Sequence, residues 1–215
     1  IEEAVACLEF LGYSRILPAL HSAREALPLT YEVLERLYLK TWGHTISSEC
    51  PPYEMEYGSA HIFQKSHGLA DIAGFYRAFG LKISSQARER QDHLSMELEF
   101  MHFLTWKEAY ALKQGHDDEK ITLCRQAQAK FLAEHLSWLS LFVQRLSQKV
   151  EGSFFAIWGQ LAEGFLSLEA QAMGVTLQKP KPVQDEAQEE AQDEECDSCP
   201  GTPGGDGSID PRRLL

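Results

Sequence analysis

Apolar residues recur every three to four positions along most of the chain, which is the spacing of one face of an α-helix. In "YEVLERLYLKTW" the repeat includes Val33, Leu34 and Leu37, and Thr30 precedes it as a suitable N-cap. The segment "GLADIAGFYRAFGL" continues the same repeat and stops at Gly80, a residue suited to a helix C-cap. Both segments therefore predict amphipathic helices.

Three later segments and the first residues carry the same signal. One helical repeat follows Asp92 and stops at Gly115, and the last runs from an N-cap at Ser153 to a C-cap at Gly174. Between them, the long segment "DEKITLCRQAQAKFLAEHLSWLSLFVQRLSQK" begins with an acidic first turn, which suits the positive end of a helix dipole. The opening residues predict one or two more helices, interrupted near Pro18.

Strand signals are lacking, because no alternating Val, Ile and Thr runs flank an Asn-Gly or Asp-Gly turn. The pattern predicts an all-α fold, a single bundle of about six or seven helices, over residues 1–176. Residues 177–215 are rich in Pro, Gly, Gln and acidic side chains and have few large apolar ones. Such a segment buries too little apolar surface to offset its ordering entropy, so we expect a disordered acidic tail.

The charge balance narrows the possible partners. The formal net charge is -12, from 32 acidic and 20 basic residues. A nucleic-acid partner is not expected, since phosphate binding requires a basic surface, whereas a positively charged partner is compatible with this balance. No apolar run reaches the length of a membrane span, so membrane insertion is not expected either. The five cysteines form no disulfide framework, which predicts a reducing, cytoplasmic location.

Enzyme motifs are missing from the sequence. There is no GxSxG nucleophile elbow, glycine-rich phosphate loop or nucleotide fingerprint. A small hydrolase that used His93 would still lack a nucleophile. We therefore predict a protein without catalytic activity.

The segment "RERQDHLSMELEFMHFL" concentrates polar chemistry at the start of one predicted helix. It contains Asp92, His93, Glu97, Glu99 and His102. A metal site, an acid-base pair and a docking surface for a basic peptide all use these residue types. His93 and Glu97 share a helix face, but the third ligand of a HExxH-type site is missing, and exposed polar residues are the commoner explanation.

Two other segments are candidates for function. The long loop "GHTISSECPPYEMEYGSAH" is flanked by Trp42 and contains Tyr53 and Tyr57, and loops of this length inside compact domains are usually functional. In the tail, Cys196 and Cys199 form a CxxC pair, a weak candidate for metal binding or redox chemistry. A structural zinc site needs four ligands, and no second CxxC is present.

Four segments carry a family resemblance, which covers roughly residues 5–175. "ECPPYEMEYG", "LADIAGFYRAFGL", "ERQDHLSMELEFMHFL" and "AKFLAEHLSWLSLFVQRL" resemble the TorD/DmsD/NarJ-type family of redox-enzyme maturation chaperones. Within the family, the likeness is greatest to chaperones of dimethyl sulfoxide reductase-type molybdenum enzymes. Gln91 stands where the family usually has proline, and the CxxC tail is not part of the family pattern.

The resemblance implies a TorD-like helical, cytoplasmic chaperone without a cofactor of its own. Its partner would be the apo form of the catalytic subunit of a molybdopterin-containing oxidoreductase, bound through a twin-arginine leader or the N-terminal region. The chaperone would hold this client for molybdenum cofactor insertion before export, as a monomer or a domain-swapped dimer. The alternative is a metal- or redox-responsive adaptor protein that uses Cys196 and Cys199.

A twin-arginine leader carries two guanidinium groups ahead of an apolar stretch. Its receptor needs carboxylates beside an aromatic-lined groove, because arginine pairs strongly with carboxylates. We expect the peptide-binding residues to be Asp92, His93, Glu97, Tyr53, Glu54, Tyr57 and Trp42.

Asp92 can be tested separately from the helix that follows it. If it contacts the leader, Asp92→Asn should weaken peptide binding and leave the melting temperature nearly unchanged. If it only caps a helix that starts near His93, the substitution should change almost nothing, since Asn is also a good N-cap.

Overall fold

A computed structural model of the chain describes residues 2–28, 30–43, 49–58, 62–84 and 89–177. In these ranges every regular element is helical, which confirms the predicted all-α fold. The helices are α1 Glu2–Phe10, α2 Leu17–Glu25, α3 Tyr31–Trp42, α4 Ile62–Ala78, α5 Leu94–Lys113, α6 Asp118–His135, α7 Leu139–Lys149 and α8 Phe154–Met173. Short 3₁₀ helices occupy Ser14–Ile16 and Glu54–Glu56. The predicted tail from residue 178 onward, with Cys196 and Cys199, lies outside the described residues.

The helix ends follow the predicted capping chemistry at several positions. The Thr30 side chain accepts a hydrogen bond from the Val33 amide at 3.4 Å, and Ser153 accepts one from the Ala156 amide at 3.3 Å. Gly174 ends α8 in the left-handed region, at φ +67°, where a side chain would be strained.

Two predicted boundaries differ from the structure. Pro18 lies in the first turn of α2 and so begins a helix instead of interrupting one. Proline suits this position because the first amides of a helix have no partner within it. The long repeat after Asp117 is divided into α6 and α7, which are separated by a break at 136–138.

The main core lies among helices α4 to α8. Phe131 of α6 is completely buried, and its ring contacts those of Phe75 and Phe100 at 5.2 and 4.8 Å between centroids. A second, smaller cluster packs the N-terminal helices against α8, through Leu20 and Leu161 among others. In the described ranges, we find no helix both long enough and apolar enough to cross a membrane. The packing leaves the first turns of α5 next to the loop that carries the second 3₁₀ helix.

Candidate functional site

Two loops that are far apart in sequence meet at the start of α5. The Glu54 amide donates a hydrogen bond to the Asp92 carbonyl at 2.9 Å, and the Leu94 amide donates one to the Pro52 carbonyl at 3.0 Å. The Pro-Pro loop and the Asp-His segment therefore form one unit. The sequence had placed both segments in the same candidate site.

The Asp92 carboxylate lies inside this unit and has no exposed surface. Arg90 donates two hydrogen bonds to it, from Nε to Oδ1 at 2.9 Å and from Nη2 to Oδ2 at 2.5 Å. The Met55 amide donates a third, at 3.2 Å to Oδ2. A bidentate arginine pair of this kind is strong and directional. Asp92 is thus occupied by internal partners and offers no free oxygen at the surface.

The N-cap of α5 is His93, not Asp92. Its Nδ1 accepts a hydrogen bond from the Ser95 amide at 3.1 Å. Burial lowers the pKa of His93, although the negative charges of Glu89 and Asp92 act in the opposite direction. The lowered pKa favours a neutral ring. Because Nδ1 of this ring accepts a hydrogen bond, the ring proton lies on Nε2, which can donate to another group.

Beneath the first turn of α5 lie two buried carboxyl groups, those of Glu97 and Glu54. Oε2 of Glu97 accepts a hydrogen bond from Trp138 Nε1 at 3.0 Å, and Oε1 has no hydrogen-bond partner of ordinary geometry. Burial, and then the negative charge of Glu54, raise the pKa of Glu97 well above its ordinary value. Burial also raises the pKa of Glu54, against the effect of His135, whose Nδ1 lies 3.1 Å from Oε2.

The predicted aromatic residues serve mainly as packing. Tyr53 is buried, and its hydroxyl donates to Glu89 Oε2 at 2.6 Å. Tyr57 is also buried, with its ring 5.1 Å from that of Trp138. Trp42 is half-buried, and its Nε1 donates to the Cys50 carbonyl at 2.9 Å. These rings pack within the loop, and Tyr53 and Tyr57 expose little surface.

An apolar groove of about 370 Å³ adjoins the Asp-His segment. Its lining comprises Tyr76, Leu81, Lys82, Ile83, Ser84, Met96, Glu99, Phe100 and Phe103. The Tyr76 hydroxyl donates to the Gln91 carbonyl at 2.9 Å, which ties the groove wall to the residue before Asp92. Sequence analysis missed the groove because its α5 residues have the spacing of an ordinary core face.

Sequence analysis also missed three hydrogen-bonding residues of the unit, namely Arg90, His135 and Trp138. Arg90 lies only two positions before Asp92, so its proximity offered a local signal. His135 and Glu54 are 81 positions apart, and Trp138 and Glu97 are 41 apart, so no short motif could pair them. His93 and Glu97, which the sequence offered as a possible metal pair, have different hydrogen-bond partners, the Ser95 amide and Trp138 Nε1.

The family model described as "Nitrate reductase delta subunit" matches residues 12–144. The chain belongs to this family, which includes relatives named as TorD and as reductase assembly chaperones, and the predicted family is confirmed.

Individual relatives agree with this assignment. The chain is 33% identical over 153 residues to the perchlorate reductase assembly chaperone protein of Dechloromonas aromatica, across 70% of this chain and 66% of that protein. It is 32% identical over 117 residues to the chlorate reductase assembly chaperone protein of Ideonella dechloratans, across 54% of this chain and 58% of that protein. A TorD chaperone of Vibrio cholerae is 27% identical over 103 residues, across 47% of this chain and 45% of that protein. The chain thus spans less than two thirds of the length of each of these relatives.

The geometry predicts that Asp92→Asn destabilises the fold, in contrast to the unchanged melting temperature expected from the sequence. The substitution removes the charge from a buried bidentate pair, and hydrogen bonds to charged groups contribute roughly 1.5–3 kcal/mol. Urea unfolding at neutral pH should report a loss of about this size. The exposed Glu119→Gln on α6 is the control, and equal stability of the two variants would contradict the structural role of Asp92.

A second prediction concerns the pH dependence of stability. Folding raises the pKa of Glu97. The contribution of Glu97 to the free energy of unfolding is therefore largest below its unfolded-state pKa of about 4.5, and it is lost as the pH rises through its folded-state pKa. Glu97→Gln keeps an oxygen for Trp138 and cannot ionise. The free energy of unfolding of Glu97→Gln, relative to that of the wild type, should therefore rise as the pH increases above about 4.5. Exposed Glu99→Gln is the control, and parallel pH curves for wild type and Glu97→Gln would refute the prediction.

Proposed function

We propose that this chain is an assembly chaperone for the catalytic subunit of a molybdopterin-containing reductase. It binds the twin-arginine leader or N-terminal region of the apo-subunit and holds it until the cofactor has been inserted. Relatives named as assembly chaperones of perchlorate, chlorate and selenate reductases support this role over a catalytic one. The cytoplasmic location predicted from the sequence is part of the same proposal.

One observation supports the proposal: the apolar groove lies beside the unit formed by the Pro-Pro loop and the Asp-His segment, which carries acidic side chains. Both adjoin the first half of α5. Met96 and Phe100 line the groove, and His93 caps the helix one turn before Met96. A leader with arginines followed by an apolar stretch has the same order of chemistry. The apolar stretch would lie in the groove, and the basic residues would lie at its exposed edge and near the loop, so that both parts bind at once.

The carboxylates that would receive the arginines are the exposed or half-buried ones. Glu99 is exposed on the groove, and Glu89 is half-buried beside Tyr53. Asp92 is held by Arg90, so we assign it a positioning role, which it exerts by fixing the loop that presents His93. The other residues expected from the sequence, namely Glu97, Glu54, Tyr53, Tyr57 and Trp42, would act in the same indirect way, as the support of the loop and the first turn.

His93 would contact the leader backbone directly. Its Nδ1 is used by the helix cap, which leaves the Nε2 proton as a donor for a peptide carbonyl. A half-buried ring at the junction between loop and groove also excludes water from this contact, which strengthens the hydrogen bond.

The His93 assignment is tested by two substitutions that separate capping from binding. Asn preserves the N-cap and removes the imidazole, whereas Ala removes both. Calorimetry would use a synthetic peptide with two adjacent arginines followed by an apolar stretch. Both variants should bind about threefold to tenfold more weakly, as expected for one hydrogen bond. Only His93→Ala should lose about 1 kcal/mol of stability. Wild-type affinity in both variants would remove His93 from the site.

The charge assignment is tested with the same peptide. Glu99→Gln should reduce affinity by about tenfold, since it removes one charge-assisted contact with arginine. The affinity of the wild type should fall with added salt, because exposed charges are screened. Glu119→Gln on the remote α6 start is the matched control. A peptide with both arginines replaced by glutamine should bind equally to wild type and Glu99→Gln, and a retained difference would contradict a direct contact.

The client is tested at the level of the whole protein. Full-length chain purified from its native host should carry a reductase catalytic subunit that lacks its cofactor. Met96→Gln, in the groove, should lower the amount of reductase subunit recovered. The control is Leu112→Gln, an exposed position near the end of the same helix, which should not lower it. Recovery of no reductase subunit with wild type would contradict the proposed function.

A further inference from the structure

The buried His135 lies between two carboxylates at the end of α6. Its Nδ1 is 3.2 and 3.1 Å from the two carboxylate oxygens of Glu54, and its Nε2 is 3.5 Å from Asp71 Oδ2. The ring is 4% exposed, and Nε2 has no hydrogen-bond partner. A neutral ring that donates from Nδ1 to Glu54 directs the Nε2 lone pair toward another electron-rich atom. A cation between the two atoms, or a proton on Nε2, would remove the repulsion between them.

The distances favour a bound cation over a proton on Nε2. A good N–H···O hydrogen bond spans about 2.7–3.2 Å, so 3.5 Å is long for a ring N–H that donates to Asp71. Two ligands of one tetrahedral metal ion, each at about 2.0–2.1 Å, lie about 3.4 Å apart. The observed separation matches this second geometry.

A third donor completes the group. Ligand atoms of Asp71, Glu134 and His135 all lie within 4.8 Å of one another. The Glu134 side chain is 43% exposed and pairs only loosely with Lys130, at 3.8 Å, so it is free to rotate toward an ion. His67, one turn before Asp71 on α4, lines the same shallow depression as Asp71 and is a nearby donor for a fourth position.

We propose that Asp71, Glu134 and His135 form a binding site for a divalent transition-metal ion, with Zn²⁺ as the best match. One imidazole nitrogen and two carboxylates suit Zn²⁺ and its neighbours in the first transition row. Glu54 completes the arrangement from behind, because metal-ligating histidines usually donate their other nitrogen to a carboxylate. The ion would link α4 to the end of α6, and exposed Asp71 gives it access from solvent.

The experiment uses the untagged full chain, stripped of metal with a chelator. It carries Cys196→Ser and Cys199→Ser, so that the tail dithiol cannot bind the probe. Titration with Zn²⁺ alone, followed by calorimetry, should give one ion per chain. Asp71→Asn and Glu134→Gln should each weaken binding at least about tenfold, and His135→Gln should abolish it. Glu54→Gln should weaken it by about tenfold to a hundredfold, as for other groups that orient a ligand.

The control is Asp118→Asn, an exposed carboxylate at the other end of α6, which should leave Zn²⁺ binding unchanged. If His135→Gln does not fold, the exposed Asp71 and Glu134 variants decide the question by themselves. Wild-type affinity in both, or no saturable binding by the parent chain, would overturn the site. His135 would then serve only to bridge Glu54 and Asp71 within the protein. Neither result depends on a leader peptide, so the metal site and the proposed chaperone function fail or hold separately.

Discussion

A carboxylate removed from water must be paired, and the pairing of Asp92 determines how the candidate site is assembled. Arg90 and the Met55 amide meet this requirement, and in doing so they join the Pro-Pro loop to the residues before α5. The loop cannot move away from the helix without exposing or unpairing this group. The position of the His93 ring and the wall of the groove at Tyr76 both depend on the same junction.

The second organising feature is a row of buried ionisable groups beneath the loop. Glu97, Glu54 and His135 connect α5, the 3₁₀ turn and the end of α6 through contacts that cross the core. Burying such groups is unfavourable unless each finds a partner or a proton, which explains the raised pKa of both glutamates. At the surface end of this row, His135 lies next to the exposed Asp71, where the proposed metal ion would bind.

The proposed peptide-binding and metal sites would lie at different places along this row of buried groups. Peptide recognition would occur where α5 begins, through His93 and the adjoining groove, and ion binding where α6 ends. Glu54 contacts His135 and also lies in the loop that supports His93, so it belongs to both neighbourhoods. Neither proposal requires the other, because the direct contacts involve separate side chains.

The all-α fold and several helix caps followed from the sequence alone, because helical periodicity and capping are local properties of consecutive residues. Thr30, Ser153 and Gly174 could be assigned in this way. The family followed from the resemblance of four segments. The sequence also brought the Pro-Pro loop and the Asp-His segment into one proposed site. Only the tertiary structure decided which side chains point inward: Asp92 and Glu97 have no exposed surface, and His135 joins them from far along the chain. The reason is physical, since burial and pairing depend on contacts between distant segments, which no local spacing encodes.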